Sequence, residues 1–361
     1  MSRFFGAETD KLVYDRAWEE GWELVAGKLH FLDRYRNRGA WFAPTCDPPW
    51  GSREPAPQNP PIIAFYSFKG GVGRTTALAA FAVQRARAGE RIAVVDCDLD
   101  APGVGTLLAA DPQGTVAGWG VVDYLLEKPL LGKVDFTDYH HACRREEVAG
   151  RGEILVVPAG RVDEAYLKKL ARLDLEVQTA GEEHPFFSLL NEVKALAPNW
   201  ILLDVRAGLA DTGGLFMDGL AHLHVLFGTF SEQNWQGLRL VLRRLGGERV
   251  ERGLTQAGCF FVQALAPSNE ELFRLANRAF AERTRDEFDE NYYAEAGEAN
   301  EEDSLWTILD AETSDAPSVP VPVRYSDKLA YYRDIGEVAD FLAESRDYLE
   351  LADRIAGRFG G

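Results

Sequence analysis

The feature that most constrains this chain is the run Ile62-Ile63-Ala64-Phe65-Tyr66-Ser67-Phe68, followed at once by Lys69-Gly70-Gly71-Val72-Gly73-Arg74-Thr75-Thr76. The short apolar run reads as a buried strand and residues 75–88 as a helix. Between them the glycines permit positive φ and let backbone N–H groups approach an anion closely, while the helix N-terminus adds its positive dipole end. Strand, glycine-rich turn and helix in this order call for an α/β fold and predict a phosphate cradle. A cation, Lys69, opens the loop, and Arg74 stands where a phosphate-binding lysine is expected.

From Pro61 onward short apolar runs alternate with helical patterns. Strands are expected at 62–67, 91–96, 153–158, 200–205, 222–229 and 259–265. Helices are expected at 75–88, 163–177, 185–197, 232–246, 268–284 and near 336–357. This alternation predicts a mainly parallel, twisted sheet with helices on both faces. Before it, Leu12, Tyr14, Trp18, Trp22, Val25, Leu29, Leu32 and Tyr35 recur at near-helical spacing, so residues 8–38 read as an amphipathic helix. The expected organisation is a helical arm over 1–43, a proline-rich linker over 44–60 and one large domain over 61–361. The acidic stretch 286–303 reads as a solvated loop or insertion in that domain.

The 361 residues carry a net charge of −18, with 46% hydrophobic and 27% charged residues. That is the composition of a folded soluble protein. The acidic balance disfavours non-specific binding to nucleic acid or an anionic membrane, both of which need a basic face. No run of about 18 apolar residues suggests a membrane span. The N-terminus turns acidic too early for a secretory signal. Cys46, Cys97, Cys143 and Cys259 are scattered without a CxxC pair, as expected in a reducing cytoplasm. His140-His141-Ala142-Cys143 resembles a metal cluster on paper, but its spacing suits neither a strand face nor a helix face, and a structural role is expected.

Two further segments end apolar runs with carboxylates. In Arg91-Ile92-Ala93-Val94-Val95-Asp96-Cys97-Asp98, the pair Asp96 and Asp98 closes a strand, and Pro102-Gly103 breaks the chain beyond it. Carboxylates there can hold a metal-bound water and orient an attacking water for in-line displacement at phosphorus. In Trp200-Ile201-Leu202-Leu203-Asp204-Val205-Arg206-Ala207-Gly208, Asp204 follows four apolar residues, and Gly208 frees the following loop to respond to a γ-phosphate. Thr75 is placed to coordinate Mg²⁺ and Thr76 to reach the phosphates. Arg206 could pair with phosphate, with a carboxylate or with a second subunit.

Together these residues resemble the deviant Walker A ATPases, the MinD/ParA group of P-loop NTPases. Lys69-Gly70-Gly71-Val72-Gly73 is similar to the family's signature loop, Asp96-Cys97-Asp98 to its first switch and Asp204 to Gly208 to its second. Val157-Pro158-Ala159-Gly160 looks like its Leu-Pro-Ala-Gly strand end. The Gly-Gly-Val-Gly-Arg form, with Ser231 to Gly237 and Pro322 to Ala330, resembles a bacterial branch of that group. The resemblance implies ATP and Mg²⁺ as cofactors. It makes Lys69 the signature lysine that reaches a partner's nucleotide, Asp98 the water-orienting residue, and Asp96 and Asp204 outer-shell metal carboxylates. Gly70, Gly71, Val72, Gly73, Arg74, Thr75 and Thr76 would bind phosphate, and residues around Gln263 to Pro267 fall where adenine is contacted.

The expected function is therefore a cytoplasmic ATP-dependent dimerisation switch acting on a protein partner, with hydrolysis slowed by Arg74 because a planar guanidinium does not replace an ammonium ion. One alternative is a nucleotide-binding scaffold without useful turnover. A P-loop tyrosine kinase is another, but the chain ends without a tyrosine cluster, and Tyr292-Tyr293 and Tyr331-Tyr332 read as packing residues. The last helix mixes acidic and basic residues on its polar face, as a packed helix does, rather than presenting a basic membrane-binding face.

Overall fold

The structure is a computed structural model that describes residues 23–25, 29–31, 50, 59–173, 185–209, 214, 220–294 and 305–360. The chain divides into two compact units, Met1–Gly39 and Ala40–Gly361. In the first, β1 (Glu23–Val25) and β2 (Leu29–Phe31) pair antiparallel. These described residues correct the expectation of a continuous helix over 8–38: Gly27 interrupts the helical period, and Val25, Leu29 and Phe31 suit strands. The rest of that arm, and the linker apart from Trp50, Asn59 and Pro60, lie outside the described residues.

The second unit holds an eight-stranded sheet. Its strands and its α-helices of five or more residues, in chain order, are β3 (Ile62–Ser67), α1 (Arg74–Arg87), β4 (Arg91–Cys97), α2 (Val121–Leu131), β5 (His141–Cys143), β6 (Glu153–Val157), α3 (Tyr166–Leu170), α4 (Pro185–Ala195), β7 (Trp200–Val205), β8 (Leu223–Gly228), α5 (Glu232–Leu245), α6 (Gly247–Glu251), β9 (Cys259–Ala266), α7 (Glu270–Asn291), β10 (Val321–Arg324), α8 (Ala339–Glu344) and α9 (Arg346–Gly357). The strand order is β10-β9-β8-β3-β7-β4-β6-β5, parallel throughout except for the antiparallel edge pair β5–β6. Alternate side chains of each strand enter opposite cores. Ile62, Ala64 and Tyr66 pack with α2, α4, α5 and α7, whereas Ile63 and Phe65 pack with α1, α8 and α9. Each large apolar side chain so buried contributes roughly 1.5–3 kcal/mol.

All six expected strands are present, and the sheet is the expected mainly parallel one. The helices differ in three places. The acidic residues 286–291 extend α7 instead of forming a loop, with Phe288 and Tyr292 buried against the core; residues 295–304 lie outside the described part. The last helix is broken at Ser345, whose extended backbone (φ −61°, ψ 126°) separates α8 from α9. Of the helix expected at 163–177, α3 covers five residues, and 174–177 are not described.

The unexpected α2 follows Gly120, whose backbone lies so close to the end of β6 that a Cβ would stand 2.1 Å from the Pro158 carbonyl oxygen. Val121 and Val122 donate backbone bonds to Pro158 and Ala159 there. Among the described residues no helix is long and apolar enough to cross a membrane.

Candidate functional site

Three adjacent strands, β3, β7 and β4, end at one point, the carboxyl edge where open parallel sheets bind ligands. Register brings Asp204 of β7 opposite Phe65 of β3 and Asp96 of β4. The residues that the sequence scatters over 130 positions therefore converge. Between β3 and α1 the chain turns through Gly71 (φ 75°) and Gly73 (φ 83°), conformations that a side chain resists. Gly73 caps α1 without a side chain, and the helix has no acidic residue in its first turn. The early N–H groups of α1 are thus left for an outside acceptor, and an anion suits them best.

Arg74 is the hub of the site. Its Nε donates to Asp204 Oδ1 at 2.7 Å and its Nη2 to Asp98 Oδ2 at 3.0 Å, with only 9% of its side chain exposed. Thr75 Oγ1 donates to the other Asp204 oxygen at 2.8 Å. Burial works against the Arg74 charge, yet the Asp204 and Asp98 carboxylates more than offset it and hold its pKa above the usual arginine value. Asp204 is itself pushed up, by burial first, with Arg74 and Thr75 pulling the other way. Asp96 commits its two oxygens to the Asp98 and Gly103 N–H groups at 3.2 and 3.1 Å, so it shapes the loop. Burial and then the Asp204 charge push Asp96 up to about 8.

Two further contacts tie the loops after β4 and β7 into this hub. Arg206 pairs with the Asp100 carboxylate, one of the three kinds of partner open to it from sequence. Tyr66 Oη donates to the Gly208 carbonyl at 3.2 Å, and Gly208 N donates to the Ser67 carbonyl at 3.1 Å. Gly208 is therefore fastened to β3, the strand that leads into the glycine-rich loop.

A cavity of about 500 Å³ opens beside the hub, lined by Gly70 to Thr76 and Asp98 on one side. Its other wall comes from Leu265, Val323, Arg324, Tyr325, Ser326, Leu329 and Tyr348. The size suits a cofactor-sized ligand. Gln263 and Pro267 do not line it: Gln263 is 2% exposed inside β9. Leu265 lies between them, takes a left-handed backbone (φ 54°), is 46% exposed and lines the cavity. Leu265 is thus the residue of the Gln263–Pro267 segment that lines the cavity, and Tyr325 comes from the Pro322–Ala330 segment, for which the sequence suggested no site role. Lys69 is half-buried, outside the cavity lining, and no hydrogen bond or ion pair among the described residues holds its ammonium group.

Thr75 and Asp204 provide the oxygen-only donors that a hard divalent cation requires, so this pair fits Mg²⁺. Among the described residues no group of three or more His, Cys, Asp or Glu side chains is arranged to hold a metal by itself. His140 Nδ1 bonds the Phe136 carbonyl, His141 bonds the Leu108 carbonyl and the Ala117 N–H, and Cys143 is buried at the sheet edge.

Residues 63–110 match the family model described as the CobQ/CobB/MinD/ParA nucleotide binding domain. Among solved structures, ParA of pNOB8 bound to nonspecific DNA superposes with a TM-score of 0.50 at 16% identity, covering 83% of this chain and 99% of that one. MinD of Pyrococcus horikoshii OT3 complexed with Mg-ADP gives 0.48 at 15% identity, covering 82% and 95%. A plasmid partition protein of Borrelia burgdorferi B31 bound to AMPPNP gives 0.49 at 15% identity, covering 83% and 98%. No curated protein matches.

Proposed function

We propose, from the premise that this chain carries a nucleotide-binding domain of the CobQ/CobB/MinD/ParA kind on the corresponding P-loop fold, that it is an ATP-driven dimerisation switch with slow hydrolysis. The observation that carries this reading is the Arg74 hub, which joins the glycine loop to Asp98 and Asp204 at the mouth of the cavity. The amides of Gly70 to Thr76 receive the phosphates, and Lys69 answers a nucleotide held by a second copy of the chain. A Mg²⁺ ion on Thr75, with Asp204 beyond it, would supply positive charge to the γ-phosphoryl group.

Asp98 orients a water whose oxygen bonds to the γ-phosphorus as the bond to the β–γ bridging oxygen breaks. ADP then leaves, and the water's proton passes to Asp98 or to the phosphate. The pairing of Asp98 with Arg74 supports slow turnover, because this carboxylate must be free of the guanidinium to face water. Loss of the γ-phosphate would loosen the loops around Asp100, Arg206 and Gly208 and release a protein partner. The switch would act in the cytoplasm.

The same Arg74–Asp98 pair favours a second reading, a nucleotide-binding scaffold that does not turn over. Phosphate release from Mg²⁺-ATP separates the two. Slow release by wild type and none by Asp98→Ala, which still binds, is the expected result. Binding without release by wild type, with its partner present, selects the scaffold. Absence of nucleotide binding refutes both.

A further inference from the structure

A guanidinium at position 74 does something an ammonium ion cannot. Its Nε and Nη2 face two different carboxylates, Asp204 at 2.7 Å and Asp98 at 3.0 Å, while Nη1 has no hydrogen bond among the described residues. Arg74 lines the cavity, and Nη1 is the nitrogen left to meet a ligand there. Nη2 also stands 3.5 Å from Thr75 Oγ1. A divalent ion on Thr75 would therefore sit beside a fixed positive charge and share Asp204 with it. That charge cannot be shed by deprotonation, unlike that of a buried lysine.

We propose that Arg74 is the resident cation of this site: it bridges Asp98 and Asp204 through Nε and Nη2, offers Nη1 to a nucleotide diphosphate, and so frees nucleotide binding from dependence on a divalent metal. A lysine at the same place has one nitrogen to divide among two carboxylates and the phosphates. One of these three is then left without a hydrogen bond from the cation, and falls to a metal. The guanidinium keeps all three partners, because its planar fork has five N–H groups directed to separate acceptors. The inference rests on reading the cavity as a nucleotide site.

The test is ADP binding by the full chain, measured by calorimetry in excess Mg²⁺ and again in excess EDTA, for wild type and Arg74→Lys. ADP avoids hydrolysis, so the readout is affinity alone. Wild type is expected to stay within about threefold on chelation, and Arg74→Lys to lose about tenfold or more. A wild-type loss of about tenfold on chelation overturns the proposal, and this arm needs no variant to fold. Equal insensitivity of the two proteins also overturns it, because Arg74 would then not be the cause. Binding by neither protein under either condition refutes the nucleotide-site reading itself.

Discussion

Replacing Arg74 with methionine keeps much of the side-chain volume and removes the charge between Asp98 and Asp204. Breaking a buried ion pair from one side costs roughly 3–5 kcal/mol, because the remaining charge is left without a partner. Here the cost has a ceiling. Asp204, whose side chain is 2% exposed, can take up a proton instead of staying charged. From an unfolded-state pKa of about 3.9, holding it protonated at pH 7 costs about 4 kcal/mol, at 1.36 kcal/mol per pH unit. At pH 5.5 the same ceiling falls to about 2 kcal/mol. Asp98 adds less, since 12% of its side chain is exposed and Ala101 N donates to it.

Arg74→Met is therefore expected to lose about 3 kcal/mol at pH 7 and about half of that at pH 5.5. The sign follows from a carboxyl whose folded-state pKa is raised: its favourable contribution is complete at low pH and fades as pH rises. Urea unfolding followed by tryptophan fluorescence, with wild type measured at each pH, gives the difference directly. A loss below about 1 kcal/mol at pH 7 would refute the central role of the hub. An equal loss at both pH values would refute the protonation argument.

Three further outcomes are expected. Gly237→Ala places a Cβ 2.1 Å from the Phe68 ring, one residue before Lys69; about 1–3 kcal/mol of stability should be lost, read as a lowered unfolding midpoint, together with weaker nucleotide binding. Tyr66→Phe removes the bond to the Gly208 carbonyl and should cost about 1 kcal/mol while speeding hydrogen exchange around residues 205–209, and unchanged exchange would argue against the tether. His222 accepts the Ile62 N–H on Nδ1 and burial holds its pKa down near 4, so the unfolded chain binds the extra proton below pH 6.5; stability should fall by about 2 kcal/mol between pH 6.5 and 4.5, and His222→Asn should flatten that slope.

The parallel core was legible because its strands are continuous apolar runs, each ending at a charged or glycine-rich break. The loop at Lys69 to Thr76 was legible for the same local reason, as were Asp96, Asp98 and Asp204 at strand ends. What escaped was made by distance or by tertiary context. β5 and β10 are three and four residues long, and Pro322 lies in β10, where an edge position tolerates it. α2 contains Pro129 and is docked through Gly120, both of which read locally as breakers. The cavity wall joins Leu265 to Val323–Ser326 through parallel β9–β10 pairing, a contact no local pattern announces. The partners of Arg74 lie 24 and 130 residues away, so its charge was legible but not its bridging role.

The account turns on ATP joining two copies of the chain through Lys69. Light scattering on wild type and Asp98→Ala with ADP, and with ATP under non-hydrolysing conditions, measures this directly, with Lys69→Ala as the third protein. Wild type and Asp98→Ala are expected to double in mass with ATP and not with ADP, while Lys69→Ala binds ATP and stays monomeric. A wild-type monomer at saturating ATP would contradict the account.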